Sequence, residues 1–189
     1  MSKVYLLLVD GFEEVEALAT ADVLIRSGVE VVLTGIVPEK SEVRGSHGFR
    51  IKTDDSFTAT DSYDASQFGD ADAVILPGGK AGTDNLASSR AVTEMVKTYF
   101  SQGKYVCAIC AAPTVLAACG VLEGKEATCF PGFEDRLAGA VYKDLPVIVA
   151  GKVITGRSMG TAIDFGLAIA EQLVGKERAA KTGENLHRA

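Results

Sequence analysis

The residues able to do chemistry in this chain gather at three points, each where a short apolar run ends. Asp10-Gly11-Phe12-Glu13-Glu14-Val15-Glu16 follows Val4-Tyr5-Leu6-Leu7-Leu8-Val9, Pro77-Gly78-Gly79-Lys80-Ala81-Gly82 follows Ala73-Val74-Ile75-Leu76, and Cys110-Ala111-Ala112-Pro113 follows Tyr105-Val106-Cys107-Ala108-Ile109. A cysteine that closes a strand and opens a helix has the placement of a nucleophile. Ala108, Ala111 and Ala112 are small enough for a cramped turn that exposes the thiol, as in the strand-turn-helix elbow of serine hydrolases, although Gly-x-Ser-x-Gly itself is absent. The start of a helix favours thiolate, which predicts a thiol pKa below the usual value of about 8.5. The alternative is a buried free cysteine packed as a small hydrophobe.

Gly78-Gly79 suits a loop whose backbone approaches another group closely, with N–H groups free to hold an anion or oxyanion; a plain tight turn is the other reading. It is neither a Walker loop, which needs Gly-Lys-Ser/Thr, nor a dinucleotide Gly-x-Gly-x-x-Gly. Glu13, Glu14 and Glu16 lie in the first turn of a helix, where negative charge is favourable for structural reasons alone, a reading expected to cover two of the three. Glu16 shares a stripe with Ala19, Thr20 and Val23, but spacing does not choose among them. Cys107 and Cys110 have redox or zinc spacing. However, Cys107 sits inside an apolar run, and Cys119, Cys129, His47 and His187 lack the paired spacing of structural zinc sites. No metal is expected, and Cys107, Cys119 and Cys129 are read as core or surface residues.

The elements that must position these groups alternate as strand and helix, the pattern of a doubly wound, mostly parallel sheet with helices on both faces. Strands are expected over 3–9, 29–36, 72–77 and 104–109. Helices are expected over 14–27, about 89–101 and 111–119, each followed by glycine. Residues 145–150 and 152–155 read as a hairpin about Gly151-Lys152, and a helix over about 160–174, apolar on nearly every side, should be largely buried. The polar stretch 37–71 should hold short strands near 42–45 and 49–53 and otherwise irregular chain. In open sheets of this kind ligands bind beyond the carboxyl ends of the strands, so the three segments should meet in one cleft.

One domain spanning 1–189 is expected, and a chain of 189 residues can bury a core without disulfides. A net charge of −6 with no basic cluster argues against nucleic acid as a partner. Apolar runs fall well short of the roughly 20 residues that cross a bilayer, and Met1-Ser2-Lys3 leads straight into a strand, so neither membrane span nor signal peptide is expected. Four cysteines in one short region fit reduced thiols in the cytoplasm.

Gly11-Phe12-Glu13-Glu14-Val15-Glu16, Leu76-Pro77-Gly78-Gly79, Ala108-Ile109-Cys110-Ala111-Ala112-Pro113 and the segment Ile154 to Phe165 together closely resemble the ThiJ/PfpI superfamily, in the branch that contains the parkinsonism-associated protein deglycase and its bacterial relatives. The resemblance covers essentially the whole chain. It implies a flavodoxin-like fold, a homodimer, no cofactor, and an oxidation-sensitive nucleophile at Cys110. It implies that Glu16 hydrogen-bonds the thiol and that the N–H groups of Gly79 and Ala111 form the oxyanion site. Phe130 stands where many relatives carry a histidine, so a Cys-His-acid triad is not expected. His47 falls where relatives carry an arginine that reaches across the dimer, and could supply imidazole in trans; a solvated loop histidine is the alternative.

The leading expectation is a cysteine-dependent glyoxalase or deglycase acting on small reactive carbonyls such as methylglyoxal or their early adducts with thiols and amines. An oxidative-stress sensor or holdase working through oxidation of Cys110 is the second expectation. A cysteine peptidase or amidase is the third, and the missing histidine counts against it.

Overall fold

The computed structural model describes residues 1–37 and 42–187. In chain order its elements are β1 (Lys3–Leu8), α1 (Glu14–Arg26), β2 (Glu30–Ile36), β3 (Glu42–Arg44), β4 (Arg50–Lys52), β5 (Asp55–Phe57), α2 (Ala65–Phe68), β6 (Ala73–Leu76), α3 (Lys80–Ser88) and α4 (Arg90–Ser101). There follow β7 (Tyr105–Ile109), α5 (Pro113–Ala118), β8 (Glu126–Ala127), β9 (Val141–Tyr142), β10 (Val147–Ala150), β11 (Val153–Gly156), α6 (Ala162–Val174) and α7 (Lys176–Asn185). One sheet runs in the order β10-β11-β7-β6-β1-β2-β5, parallel throughout except for the β10–β11 hairpin at one edge.

The near-continuous apolar runs of β1, β6 and β7 follow from this architecture, because a parallel strand covered on both faces has no side that meets water. Alternate residues feed two cores. Tyr5, Leu7, Leu76, Val106 and Ala108 meet Leu86 of α3, Met95 and Tyr99 of α4 and Leu116 of α5. Leu6, Leu8, Ile75, Cys107 and Ile109 meet Ala17 and Leu24 of α1 and Phe165 and Ile169 of α6. The order in which successive strands are added reverses about β1, whose neighbours are β2 on one side and β6 on the other. The crevice beyond the carboxyl ends of β1, β6 and β7 is therefore the switch point at which such sheets bind ligands.

The expected strands and the hairpin are present to within two residues at each end. Several elements were not anticipated. Lys80–Ser88 is a helix rather than loop, Asp55–Phe57 is the outer strand of the main sheet, and Lys176–Asn185 adds a helix that packs on α6. The helix after Cys110 is shorter than 111–119, because Pro113 takes its first position and Cys119 caps its end. Helix α6 is buried along one face only, through Ala162, Phe165, Gly166, Ile169 and Ala170, while Ile163 is exposed. Gly166 lets α6 approach α1 closely, since a Cβ there would stand 3.0 Å from Val23. Among the described residues no helix is long and apolar enough to cross a membrane.

Candidate active site

Cys110 occupies a left-handed backbone conformation, φ 66°, which a residue other than glycine adopts only at a cost of about 1 kcal/mol or more. Hydrogen bonds hold it there. Its N–H donates to the Gly156 carbonyl at 2.9 Å, its own carbonyl accepts from Phe130 N–H at 2.8 Å, and Ala112 N–H closes the turn onto the Ile109 carbonyl at 3.1 Å. Gly156 is required where β11 lies beside β7, because a Cβ there would stand 2.9 Å from the Ile109 side chain. The thiol is half-buried rather than exposed, and the N–H groups of Gly79 and Ala111 face it.

Glu16 approaches the thiol from α1. It is 1% exposed, and its Oε2 accepts the Gly78 N–H at 2.8 Å. A Cβ at Gly78 would lie 2.5 Å from that oxygen and 2.6 Å from the Cys110 Cβ, so the missing side chain is what lets acid and thiol meet. Gly79 has φ 89°, and a Cβ on it would stand 2.3 Å from the Gly11 carbonyl oxygen. Glu13 N–H donates to the Gly78 carbonyl at 3.0 Å and Gly82 N–H to the Gly11 carbonyl at 3.0 Å. These bonds lock the segments after β1 and β6 together.

The electrostatics correct the expected low-pKa thiol. Burial, then the Glu16 carboxylate, push Cys110 up to about 12, against the opposing pull of the Gly79 and Ala111 N–H groups. The helix start that was to favour thiolate lies three residues on, at Pro113, and is too short to compete. Burial and the charge of Glu13 raise Glu16 to about 7, while hydrogen bonds from Cys110, Gly78 N–H and Met159 N–H act the other way. Acid and thiol titrate as a unit. Above about pH 7 the pair holds one proton, which either the sulfur or the carboxyl can carry.

All three acidic residues are committed. Glu13 caps α1, its carboxylate accepting the Glu16 N–H at 2.6 Å. Glu14 is buried and receives the loop after β3. His47 N–H donates to it at 2.7 Å, the Ser46 hydroxyl at 3.0 Å, and His47 Nδ1 pairs with it at 2.9 Å. Burial opposes its charge, but these bonds prevail and hold its carboxyl down at about 2. The structure thus attaches His47, whose ring is exposed, to Glu14 of its own chain. Cys107 and Cys129 are fully buried, and among the described residues no cysteine belongs to a cluster of three or more metal-ligating side chains. Phe130 borders the elbow through its backbone; the residue is 43% exposed and its ring is edge-on to Phe133 at 6.3 Å. Two groups at the site carried no role in the sequence reading, the Gly156 carbonyl and the Met159 N–H; both lie within the motif from Ile154 to Phe165.

This arrangement can be set beside known proteins. The model of the DJ-1/PfpI family matches residues 2–172. The chain belongs to this family. It is 37% identical over 184 residues to protein dj-1beta of Drosophila melanogaster, covering 95% of this chain and 94% of the relative. The crystal structure of that fly protein superposes with a TM-score of 0.90 at 36% identity and full coverage of both chains. A Caenorhabditis elegans relative named glutathione-independent glyoxalase DJR-1.2 is 36% identical over 179 residues, covering 94% of this chain and 91% of its own. An oxidised Toxoplasma gondii DJ-1 structure matches with a TM-score of 0.90 at 34% identity, each chain covered in full. The flavodoxin-like α/β fold expected from the resemblance is thereby shown, with family members that include a named glyoxalase.

Proposed function

We propose that the protein is a cofactor-independent glyoxalase or deglycase in which Cys110 is the nucleophile and Glu16 the proton carrier. The observation that carries this reading is the buried Glu16 carboxyl hydrogen-bonded to the Cys110 thiol and anchored by Gly78 N–H. With the shared proton on Glu16, the thiolate adds to the aldehyde carbon of methylglyoxal, forming the C–S bond. The resulting alkoxide faces the Gly79 and Ala111 N–H groups and takes the Glu16 proton, giving a hemithioacetal. Glu16 carboxylate then removes the hydrogen from that carbon as a proton and returns it to the neighbouring carbonyl carbon, leaving a thioester. Water cleaves the thioester to lactate and regenerates the thiol. One carbon is oxidised and its neighbour reduced, so no external oxidant enters. A carboxyl titrating near neutrality suits both halves of this proton shuttle. Lactate formation from methylglyoxal without glutathione, present in wild type and lost in Cys110→Ser, tests it.

A second reading, redox sensing through Cys110, draws support from the same N–H groups, which can hold a sulfinate, and from the oxidised state of the Toxoplasma relative. The peptidase reading draws no support from His47, whose imidazole pairs with Glu14. Cytoplasmic location and homodimerisation complete the proposal. The dimer is favoured by an apolar surface of Val15, Leu18 and Phe49, 48%, 38% and 66% exposed, lying beside Glu14. Within such a dimer His47 stands near the same surface, where it could reach the partner's cleft.

A further inference from the structure

Phe130 is a large apolar side chain left open to solvent one hydrogen bond from the nucleophile. Its N–H reaches the Cys110 carbonyl at 2.8 Å, so the Phe130 backbone lies directly against the cysteine elbow. Phe130 is 43% exposed, although the residue before it, Cys129, is fully buried. It does not stand alone. Phe133 meets it edge-on at 6.3 Å, and the Arg136 guanidinium lies over the other ring at 5.5 Å. Arg136 also pairs with Asp84 of α3 at 3.9 Å. Helix α3 begins directly after Gly79, whose N–H faces the thiol. The stack Phe130-Phe133-Arg136 therefore bridges from the cysteine elbow to the helix that follows the proposed oxyanion donors. An exposed aromatic ring beside a reactive group, here backed by the partly buried Phe133, is what a site uses to hold a flat apolar substituent.

Building on the proposed glyoxalase reading, we infer that Phe130 and Phe133 form a specificity wall that selects 2-oxoaldehydes bearing an aromatic substituent over methylglyoxal. With the aldehyde carbon bonded to Cys110 Sγ, the substituent on the adjacent carbonyl carbon projects beyond the reacting atoms and packs edge-on against the Phe130 ring. Reaction balance is unchanged: arylglyoxal plus water gives the aryl 2-hydroxy acid, with hydrogen moving from the aldehyde carbon to its neighbour.

Initial rates with phenylglyoxal, followed as mandelate, and with methylglyoxal, followed as lactate, give the ratio of kcat/KM values that tests this. Wild type should prefer phenylglyoxal, and Phe130→Ala should lower its kcat/KM about tenfold more than that for methylglyoxal, chiefly through KM. Phe130→Leu, which keeps bulk without the ring, should fall between, and Phe133→Leu should move the ratio in the same direction. Equal losses for the two substrates in Phe130→Ala, or a wild-type preference for methylglyoxal that no wall substitution alters, would overturn the inference. Absence of wild-type turnover with both substrates would instead refute the glyoxalase reading on which it rests.

Discussion

Gly78→Ala tests whether the acid and the thiol share one small space. Because φ at Gly78 lies outside the left-handed region, alanine brings no backbone strain and the effect is steric. The new methyl carbon would lie 2.6 Å from the Cys110 Cβ and 2.5 Å from Glu16 Oε2, with the Ile109 carbonyl oxygen at 3.0 Å behind it. Carbon atoms in contact stand about 3.5 Å or more apart, so the pair must separate by roughly 1 Å. A misplacement of that size at a reacting centre costs about 10²-fold in rate. Overpacking a filled site costs about 1–3 kcal/mol, which in a chain of this length lowers Tm by roughly 2 to 12 °C. The expected result is a folded protein with a modestly lower Tm and about a hundredfold less lactate from methylglyoxal without glutathione. Wild-type turnover at an unchanged Tm would show that Glu16 and Cys110 do not work across Gly78.

Glu16→Gln should reduce methylglyoxal turnover by roughly 10²- to 10⁴-fold, because the amide cannot accept a proton; near-wild-type conversion, with His47→Ala inactive instead, would move the base to His47. Wild-type kcat/KM should rise through a single ionisation near pH 7 as the pair loses its first proton, and this limb should vanish in Glu16→Gln. The same raised pKa makes Glu16 a stabilising, protonated group below about pH 4.5 whose contribution is lost as pH rises through about 7, so denaturant titrations at pH 8 should show Glu16→Gln more stable than wild type by at most about 3 kcal/mol. Mild peroxide should modify Cys110 before Cys107, Cys119 or Cys129 by peptide mapping, since Cys107 and Cys129 are sealed in the core and Cys110 is hydrogen-bonded to an acid able to take its proton; prior oxidation of Cys107 or Cys129 would contradict this. Light scattering at micromolar concentration should give about twice the chain mass of 19.8 kDa, and a fully active monomer would remove both the dimer and any role for His47 in trans.

Much of the fold was legible because β1, β6 and β7 are buried on both faces and so advertise themselves as unbroken apolar runs. The elements that escaped notice lack that signature. Helix α3 opens Lys80-Ala81-Gly82-Thr83-Asp84, whose glycine reads as loop, yet Gly82 is there because the Gly11 backbone crosses it, with a Cβ placed 2.8 Å from the Gly11 carbonyl carbon. Strand β5 is three residues of a polar stretch, held by pairing with β2 rather than by its own pattern. Helix α6 read as largely buried because apolar composition does not reveal which neighbours exist; α1, α7 and the sheet cover part of it, and Ile163 is left outside.

At the site, the positions of Cys110, Gly78 and Gly79 could be read locally, since a turn needs small residues at fixed places. The division of labour among Glu13, Glu14 and Glu16 could not, because what separates them is that two of the three answer to partners far along the chain. Glu13 serves its own helix, Glu14 holds the loop around Ser46 and His47, and Glu16 meets Gly78 and Cys110. The sign of the thiol shift has the same origin. Local reasoning counts the turn's N–H groups, which do favour thiolate, but the charge of Glu16 and the loss of water are supplied by the packed sheet, and they win. A nucleophile raised in this way is not disabled, because the group that raises it is itself raised to about 7 and can accept the proton that the sulfur must lose. The first helix therefore contributes more to reactivity at Cys110 than the short helix that follows the cysteine.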